Sequence, residues 1–231
     1  MKARVFGELI VQTLLAVLIG IIVSVIAHFF IEGARYFLDL VGRVHEPQIS
    51  FGSSQISLTP IIAMLIGAVL IIGVRKLLGV TKWSGPADSI YALQQSKIGV
   101  DVKVGLGSTL AAFISASAGA SVGQYGPLVH FGATLSTIIT KLFKNLAQKD
   151  ILIACGVAAA ISSGFNAPIG GIIFAHEALL RRFSISAVAP ISVASIVAAA
   201  NNSYFFNSSV AFSVSVTDLA LGAVEIGRAH V

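Results

Sequence analysis

Three short segments rich in glycine and proline are the places where this sequence could do chemistry. Each is followed by an apolar run, so each would present free backbone N–H groups at the positive end of a helix dipole. Such a helix start holds an anion without a buried full positive charge. The pattern therefore predicts a site for a small anion. The segments are Ser84-Gly85-Pro86, Gly123-Gln124-Tyr125-Gly126-Pro127 and Gly164-Phe165-Asn166-Ala167-Pro168.

None of these three segments contains a lysine or an arginine. Amide and hydroxyl dipoles bind an ion such as chloride weakly enough to release it, whereas a buried cation would hold it. A single segment of this kind is more often an ordinary turn before a helix. Three of them in one small apolar chain favour a function in anion conduction.

Other kinds of site are not supported by the residue types present. Between residues 103 and 180 the acidic residues are Asp150 and Glu177 alone, so this region has no paired carboxylates for acid–base catalysis. The five histidines and Cys155 show no metal-ligand spacing. The net charge of +5 is spread along the chain without a basic stripe. The sequence thus predicts no enzyme, no cofactor, no metal site and no nucleic-acid partner.

The elements that must position these segments are membrane helices. Hydrophobic residues make up 56% of the 231 residues and charged residues only 11%, against about 25% charged in soluble domains. The mean hydropathy is +0.92. Runs at residues 9–31, 58–74, 104–122 and 185–200 approach the roughly 20 residues that cross a bilayer. We therefore predict an all-α, multi-pass protein of a bacterial-type inner or plasma membrane.

Three further apolar runs, at residues 128–143, 151–163 and 169–180, are too short to span a bilayer cleanly. They are predicted to be tilted, re-entrant or broken helices, which is the pattern found around substrate paths. Small residues also recur every four positions in the third long run, and this stripe predicts one helix face for close packing. The stripe consists of Gly107, Ala111, Ser115, Gly119 and Gly123.

Two stretches carry a family resemblance, Gly123-Gln124-Tyr125-Gly126-Pro127-Leu128-Val129 and Gly164-Phe165-Asn166-Ala167-Pro168 with the helix that continues to Glu177. They resemble the CLC family of voltage-gated chloride channels and proton/chloride exchangers. The resemblance covers residues 58–200 and implies the first half of an inverted-repeat domain with short, broken and tilted helices. It also implies chloride as the transported ion and a homodimer in which each subunit holds its own pore.

The resemblance implies an anion-binding role for Ser84, Gln124, Tyr125 and Gly126. Ser84 stands where the family has an anion-contacting serine, although Trp83 replaces a glycine and Pro86 comes one residue early. The alternative for Ser84 is a helix cap. The remaining residues are structural members of the two motifs, and they are Gly123, Pro127, Gly164, Phe165, Asn166 and Pro168. Of these, the segment from Gly164 to Pro168 is expected to shape the pore wall.

Tyr125 occupies the position at which the family usually has a glutamate that gates the pore and carries protons. A phenol is uncharged at neutral pH, so the gate carboxylate is missing here. Tyr125 could still obstruct the pore or donate a hydrogen bond to the ion. The alternative is a bulky side chain packed against a neighbouring helix.

Glu177 and Ala178 stand where exchangers of the family have two consecutive glutamates, of which the second accepts internal protons. Glu177 matches the first, structural member, and Ala178 replaces the second. An ion pair with Arg181, four residues later on the same helix, is the simpler role for Glu177. Both carboxylates that the resemblance links to proton coupling are therefore missing, at Tyr125 and at Ala178.

Their joint absence predicts passive, channel-like movement of chloride or a similar small anion. Two alternatives stay open. One is a proton/chloride antiporter whose proton route uses His130 or His176. The other is a membrane scaffold that does not conduct.

The sequence also divides into unequal parts. Residues 1–224 are assigned to the CLC-type transmembrane domain, comprising the first repeat and the start of the second half. Residues 225–231 are interpreted as a non-native read-through, so we expect the chain to be a fragment. The polar residues 32–57 are expected to be amphipathic in their first half and a loop in their second.

Overall fold

The fold is helical, and a computed structural model describes it for most of the chain. The described residues are 2–43, 48–51, 54–94, 100–123, 125–143, 148–182 and 184–206. The predicted anion-site residue Gln124 and the segment 225–231 lie outside them. The helices are α1 (Lys2–Arg43), α2 (Thr59–Leu78), α3 (Pro86–Gln94), α4 (Val102–Ser117), α5 (Tyr125–Leu142), α6 (Lys149–Phe165), α7 (Pro168–Phe174), a π-helical turn (Ala175–Leu180) and α8 (Ile185–Phe206).

The prediction of a polytopic helical protein is confirmed, with one small addition. Strands β1 (Gln48–Phe51) and β2 (Ser54–Ser57) pair antiparallel, with Gln48 opposite Ser57. The sequence analysis predicted a loop there, which is wrong for these two strands. In the first half of the polar region α1 continues through residues 32–43, and the amphipathic character expected of that half stays a prediction. In the sequence, apolar and polar residue types alternate along Gln48-Ile49-Ser50-Phe51, which is typical of a strand.

Helix α6 is the centre of the bundle, and α1, α5, α7 and α8 pack around it. Residues 151–160 of α6 are all buried, as expected for a helix that is apolar on every side. Helix α1 turns a single stripe toward this core through Ala16, Ile19, Val23 and Ala27, which repeat at helical spacing. The predicted short runs are thus partly explained by burial in protein rather than in lipid.

Helix α2 has the opposite character, because most of its apolar side chains are exposed. Ile61, Leu65, Val69 and Leu77 are examples. By length and composition, α2 and the part of α1 from Gly7 to Arg43 are the two described helices that can cross a membrane. A largely apolar groove of about 810 Å³ lies between α1, α2 and α4, away from the predicted anion segments.

Helices α5 and α6 approach each other closely where Gly132 faces Gly156. A Cβ atom on Gly132 would overlap the carbonyl oxygen of Gly156, and one on Gly156 would overlap the Ser136 hydroxyl. Only glycine permits this approach of two backbones. The close packing of α5 on α6 therefore depends on a glycine pair outside the predicted stripe.

The predicted small-residue stripe is wrong in its second half. Helix α4 ends at Ser117, Gly119 has a left-handed φ of +87°, and a Cβ atom on Gly123 would meet nothing within 4 Å. In the first half, Gly107 does pack closely, since its Cβ would lie 2.8 Å from the Val80 side chain. A spacing of four has meaning only while the helix lasts, and Gly119 ends α4 in a Schellman turn, in which the Gly119 N–H donates to the Ala116 carbonyl and the Ala120 N–H to the Ser115 carbonyl.

Helix α8 extends beyond its predicted end at residue 200, to Phe206. The amide nitrogen of Asn201 donates to the Ser24 hydroxyl on α1 at 2.6 Å, and that of Asn202 donates to the Ser163 carbonyl on α6 at 2.9 Å. These polar residues therefore remain helical because their side chains find partners inside the bundle. The sequence shows the polar residues but not their partners.

Candidate functional site

The three predicted segments lie at helix ends. Ser84 and Gly85 precede α3, Tyr125 is the first residue of α5, and Gly164 lies in the last turn of α6. The break between α6 and α7 is made by Asn166, whose φ of 51° is left-handed and ends α6. Pro168 then starts α7, a position in the first turn at which a missing N–H costs nothing.

The starts of α3 and α5 and the end of α6 come together in space. A Cβ atom on Gly126 would lie 3.5 Å from Cγ of Pro86, which is ordinary van der Waals contact. The ring of Tyr125 packs against Phe165 with 4.1 Å between ring centroids. A Cβ atom on Gly164 would lie 2.9 Å from the Tyr125 ring, so the small residue at 164 makes room for the phenol.

The segment before α3 is held by the chain's own polar side chains. The Ser84 N–H donates to the Ser108 hydroxyl at 2.9 Å, and the Gly85 N–H donates to the Asp88 carboxylate at 2.8 Å. Asp88 also lies 3.9 Å from the Lys82 ammonium. Two of the amides that the sequence pattern offered to an anion are therefore already bonded. The free polar group of Ser84 is then its hydroxyl.

Asp88 is the residue of this site that the sequence reasoning missed. A carboxylate in the first turn of a helix is favoured by the dipole and by the free N–H groups there. The signal was present, because Asp88 follows Gly85 by three residues as in a capping box. Its consequence is a negative charge beside the predicted anion site, half exposed and paired only loosely with a lysine.

The segment at α5 differs, because its first side chain is aromatic. Tyr125 and Gly126 start α5, and Pro127 in the first turn has no N–H to leave unpaired. The Tyr125 ring is half-buried against α6, which is the packed arrangement that the sequence analysis gave as the alternative to a pore plug. The backbone of this first turn still carries the N–H groups of a helix start.

The third break is stabilised by helix α8. The Ser203 hydroxyl donates to the Asn166 side-chain oxygen at 3.3 Å, and the Ser195 hydroxyl donates to the Pro168 carbonyl at 2.8 Å. The Ser162 hydroxyl in turn donates to the Ser195 carbonyl at 2.6 Å. These bonds tie the break to α8, and the side-chain amide of Asn202, which donates to the Ser163 carbonyl, satisfies one backbone oxygen that the end of α6 leaves without a helical partner.

Glu177 and Ala178 lie in the π-helical turn, and the expected ion pair of Glu177 with Arg181 is not formed between these two described residues. Arg181 has a left-handed φ of 50° and ends the turn, so it does not lie one α-helical turn above Glu177. Arg182 instead pairs with Asp150 at the start of α6. The Ala178 carbonyl accepts a hydrogen bond from the Gln94 amide of α3 at 3.1 Å.

His130 and His176, the two titratable candidates for a proton route, are both buried. The His130 ring on α5 shares a hydrogen bond of 2.5 Å with the Ser89 hydroxyl on α3. His176 lies in the π-helical turn. In the part of the chain that the structure describes, no three histidine, cysteine, aspartate or glutamate side chains cluster as a metal site would.

Comparisons of the sequence with known proteins identify voltage-gated chloride channels as relatives of this chain. The profile of the voltage gated chloride channel family matches residues 66–226. The voltage-gated ClC-type chloride channel ClcB of Shigella flexneri is 25% identical over 190 residues, which cover 78% of this chain and 45% of that protein. ClcB of Escherichia coli (strain K12 / DH10B) is 23% identical over 220 residues, covering 88% of this chain and 52% of that protein.

Two solved structures share the fold. A slow cyanobacterial Cl⁻/H⁺ antiporter superposes with a TM-score of 0.67 at 20% identity, over 93% of this chain and 52% of that chain. A CLC-type fluoride/proton antiporter superposes with a TM-score of 0.64 at 19% identity, over 92% of this chain and 54% of that chain. The chain thus spans about half the length of the proteins it matches.

Proposed function

Because the chain belongs to the voltage-gated chloride channel (CLC) family, we propose that the protein of which it is part moves chloride or a similar small anion across a membrane. The observation that carries this proposal is the meeting of two helix starts, at Pro86 and Gly126, beside the end of α6. Helix starts present N–H groups and a positive dipole end to an anion. The Ser84 hydroxyl and the amides of Gln124, Tyr125 and Gly126 are the proposed ligands.

We propose further that this movement is passive rather than coupled to protons. The supporting observation is that Tyr125 starts α5 where a gating carboxylate would stand, and Ala178 replaces the second glutamate. The Tyr125 ring packs on Phe165. A phenol keeps its proton at neutral pH, so it does not readily release and take up a proton in turn as a gating carboxylate would. The transporting unit is proposed to be a homodimer in a bacterial inner membrane.

The second candidate function is proton/chloride antiport. It is favoured by one observation, that buried His130 lies on α5 five residues from Tyr125 and can exchange a proton through its bond to Ser89. The two superposed structures are antiporters, which is a statement about those proteins. If neither passive chloride movement nor antiport were observed, the non-conducting membrane scaffold would remain.

The deciding experiment is chloride efflux from liposomes that hold the full-length protein, with external pH recorded in the same vessel. Release of chloride without proton uptake is the expected result. Proton movement in fixed ratio to chloride would refute passive conduction and would direct attention to His130→Ala and His176→Ala. An absence of chloride movement, with the protein shown to be folded and inserted, would refute anion transport altogether.

A further inference from the structure

The Ser89–His130 hydrogen bond is the polar link between α3 and α5. It joins residues 41 positions apart, at 2.5 Å between the serine Oγ and the imidazole Nδ1. Ser89 is fully buried, and His130 is 1% exposed. A serine hydroxyl and an imidazole can each donate or accept here, so the bond forms with either tautomer of the ring.

This bond lies directly behind the proposed anion site. Ser89 follows Pro86 by three residues, about one helical turn, and His130 follows Gly126 by four. The contact between Pro86 and Gly126 is made by van der Waals surfaces, which do not by themselves fix how far α3 slides or rotates. A hydrogen bond one turn deeper does fix it, because its length and direction are restricted.

Because the Ser89–His130 bond is buried, it restricts the position of α3 more strongly than an exposed bond would. A buried hydroxyl or imidazole nitrogen without a partner destabilises the protein, because it has given up its hydrogen bonds to water and gained none in return. Among the described residues, the other ring nitrogen of His130, Nε2, has no partner, so the ring is held through Nδ1 alone. The position of α3 at which the Ser89 hydroxyl meets Nδ1 is therefore strongly preferred.

We propose that Ser89 and His130 are positioning residues of the anion site, which set the distance between the start of α3 and the start of α5. The inference rests on the proposed function, since it concerns the two helix starts that would face the anion. Neither side chain touches the ion. Their effect is to hold the Ser84 hydroxyl and the Tyr125 and Gly126 amides close enough to act together.

The test compares three single variants of the full-length protein. Ser89→Ala removes the hydroxyl and leaves Nδ1 of His130 unbonded, whereas Ser89→Thr keeps a hydroxyl. Ser136→Ala is the matched control, because Ser136 is a fully buried serine of α5 whose hydroxyl has no partner in the described part of the chain. Thermal midpoints show how far each variant loosens the fold in general.

The first measurement is the distance between spin labels at exposed positions 87 on α3 and 142 on α5. Native Cys155 is fully buried and stays unlabelled, and any cysteine outside this chain is replaced by serine. We expect Ser89→Ala to broaden the distance distribution, and Ser89→Thr and Ser136→Ala to preserve the parent distribution. An unchanged distribution in Ser89→Ala, or an equal broadening in Ser136→Ala, would overturn the positioning role.

The second measurement is the chloride concentration that half-saturates binding, from calorimetric titration in detergent. We expect Ser89→Ala to raise this concentration roughly three- to tenfold, which corresponds to the net free energy of about one hydrogen bond. Ser89→Thr should restore the parent value, and Ser136→Ala should not move it. A value unchanged in Ser89→Ala despite a broadened distance would overturn the link between α3 position and anion binding.

The two measurements also separate this proposal from the proposed function. A parent protein that binds no chloride would refute the proposed function, and the anion-binding part of this inference with it. The spin-label distances would then still decide whether Ser89 and His130 hold α3 on α5. A parent that binds chloride with Ser89→Ala indistinguishable in both measurements would refute the inference and leave the proposed function intact.

Discussion

The starts of α3 and α5 look alike in the sequence and differ in the structure. Before α3, the Ser84 and Gly85 amides are bonded to the Ser108 hydroxyl and the Asp88 carboxylate. At α5, the first side chain is Tyr125, which packs on α6 and brings no charge. One helix start is therefore acidic and polar, and the other is aromatic.

This difference shows that the same glycine- and proline-rich motif can have two different roles. A carboxylate within the first turn satisfies backbone N–H groups and lowers the positive potential that an anion would meet. An uncharged aromatic residue at the same position leaves that positive potential unchanged and limits the volume that is open to an ion. We therefore expect the α5 start to contribute more of the anion affinity, and the α3 start to contribute mainly through the Ser84 hydroxyl.

The largest expected effect comes from making the α5 start acidic. In Tyr125→Glu, the new carboxyl ionises above a pH of about 4.3 in water, and its negative charge competes with the anion. We expect chloride efflux from liposomes to be roughly tenfold or more slower at pH 7.5 than at pH 4.0. Tyr125→Gln is the matched control, since it also lacks the ring but has no charge, and its efflux should be similar at both pH values. Equal efflux of the glutamate variant at both would contradict the expectation.

The next effect tests the tight contact at α5 against the looser one at α3. Gly164→Ala places a Cβ atom 2.9 Å from the Tyr125 ring, whereas Gly126→Ala places one 3.5 Å from Pro86. We expect Gly164→Ala to lower the free energy of unfolding by about 1–3 kcal/mol, which is typical of overpacking. Gly126→Ala should stay within about 1 kcal/mol of the parent, because its contact is an ordinary one. Thermal unfolding in detergent measures both, and equal midpoints would show that the Tyr125 ring can move aside freely.

The third effect concerns the hydroxyl of Ser84. In Ser84→Ala we expect the half-saturating chloride concentration to rise about fivefold, the equivalent of one hydrogen bond to the ion. Ser84→Thr retains the hydroxyl and should bind like the parent. Calorimetric titration measures the change. A normal affinity in Ser84→Ala would exclude the Ser84 hydroxyl as a ligand of the ion.

The smallest effect concerns the charge of Asp88. Asp88→Asn keeps an oxygen that can accept from the Gly85 N–H and removes the negative charge, so chloride should bind about two- to threefold more tightly at low ionic strength. The gain should shrink as inert salt is added. Asp150→Asn is the control, because Asp150 lies at the other end of α6 from Phe165. Weaker chloride binding in Asp88→Asn would mean that the carboxylate organises the site rather than repelling the ion.

The helix starts were predictable from sequence because glycine and proline act locally. Pro86, Tyr125 and Pro168 all lie within the first turn of the helices that their segments were predicted to precede. The CLC-type fold was expected from the resemblance of two of these segments to that family, and the family profile matches residues 66–226. Backbone geometry that depends on one or two adjacent residues is visible in the chain itself.

The partners of these helix starts were not predictable, because they come from distant parts of the chain. His130 meets a serine 41 residues earlier, and Ser108 meets an amide 24 residues earlier. The end of α4, by contrast, had a local signal that the four-residue period overrode, because Gly119 is the left-handed glycine that closes the helix just after Ala118. A period of four residues predicts a face only as far as the helix itself extends.

The crossing of Gly132 and Gly156 has a mechanical consequence for the anion site. Where two backbones touch with no side chain between them, no rotamer change can let one helix slide over the other. Helices α5 and α6 are thus expected to behave as a single rigid body, and Tyr125 and Phe165 travel with it. Any opening beside the proposed anion ligands must then come from α3 moving away from α5 or from the Tyr125 ring rotating about its side-chain bonds.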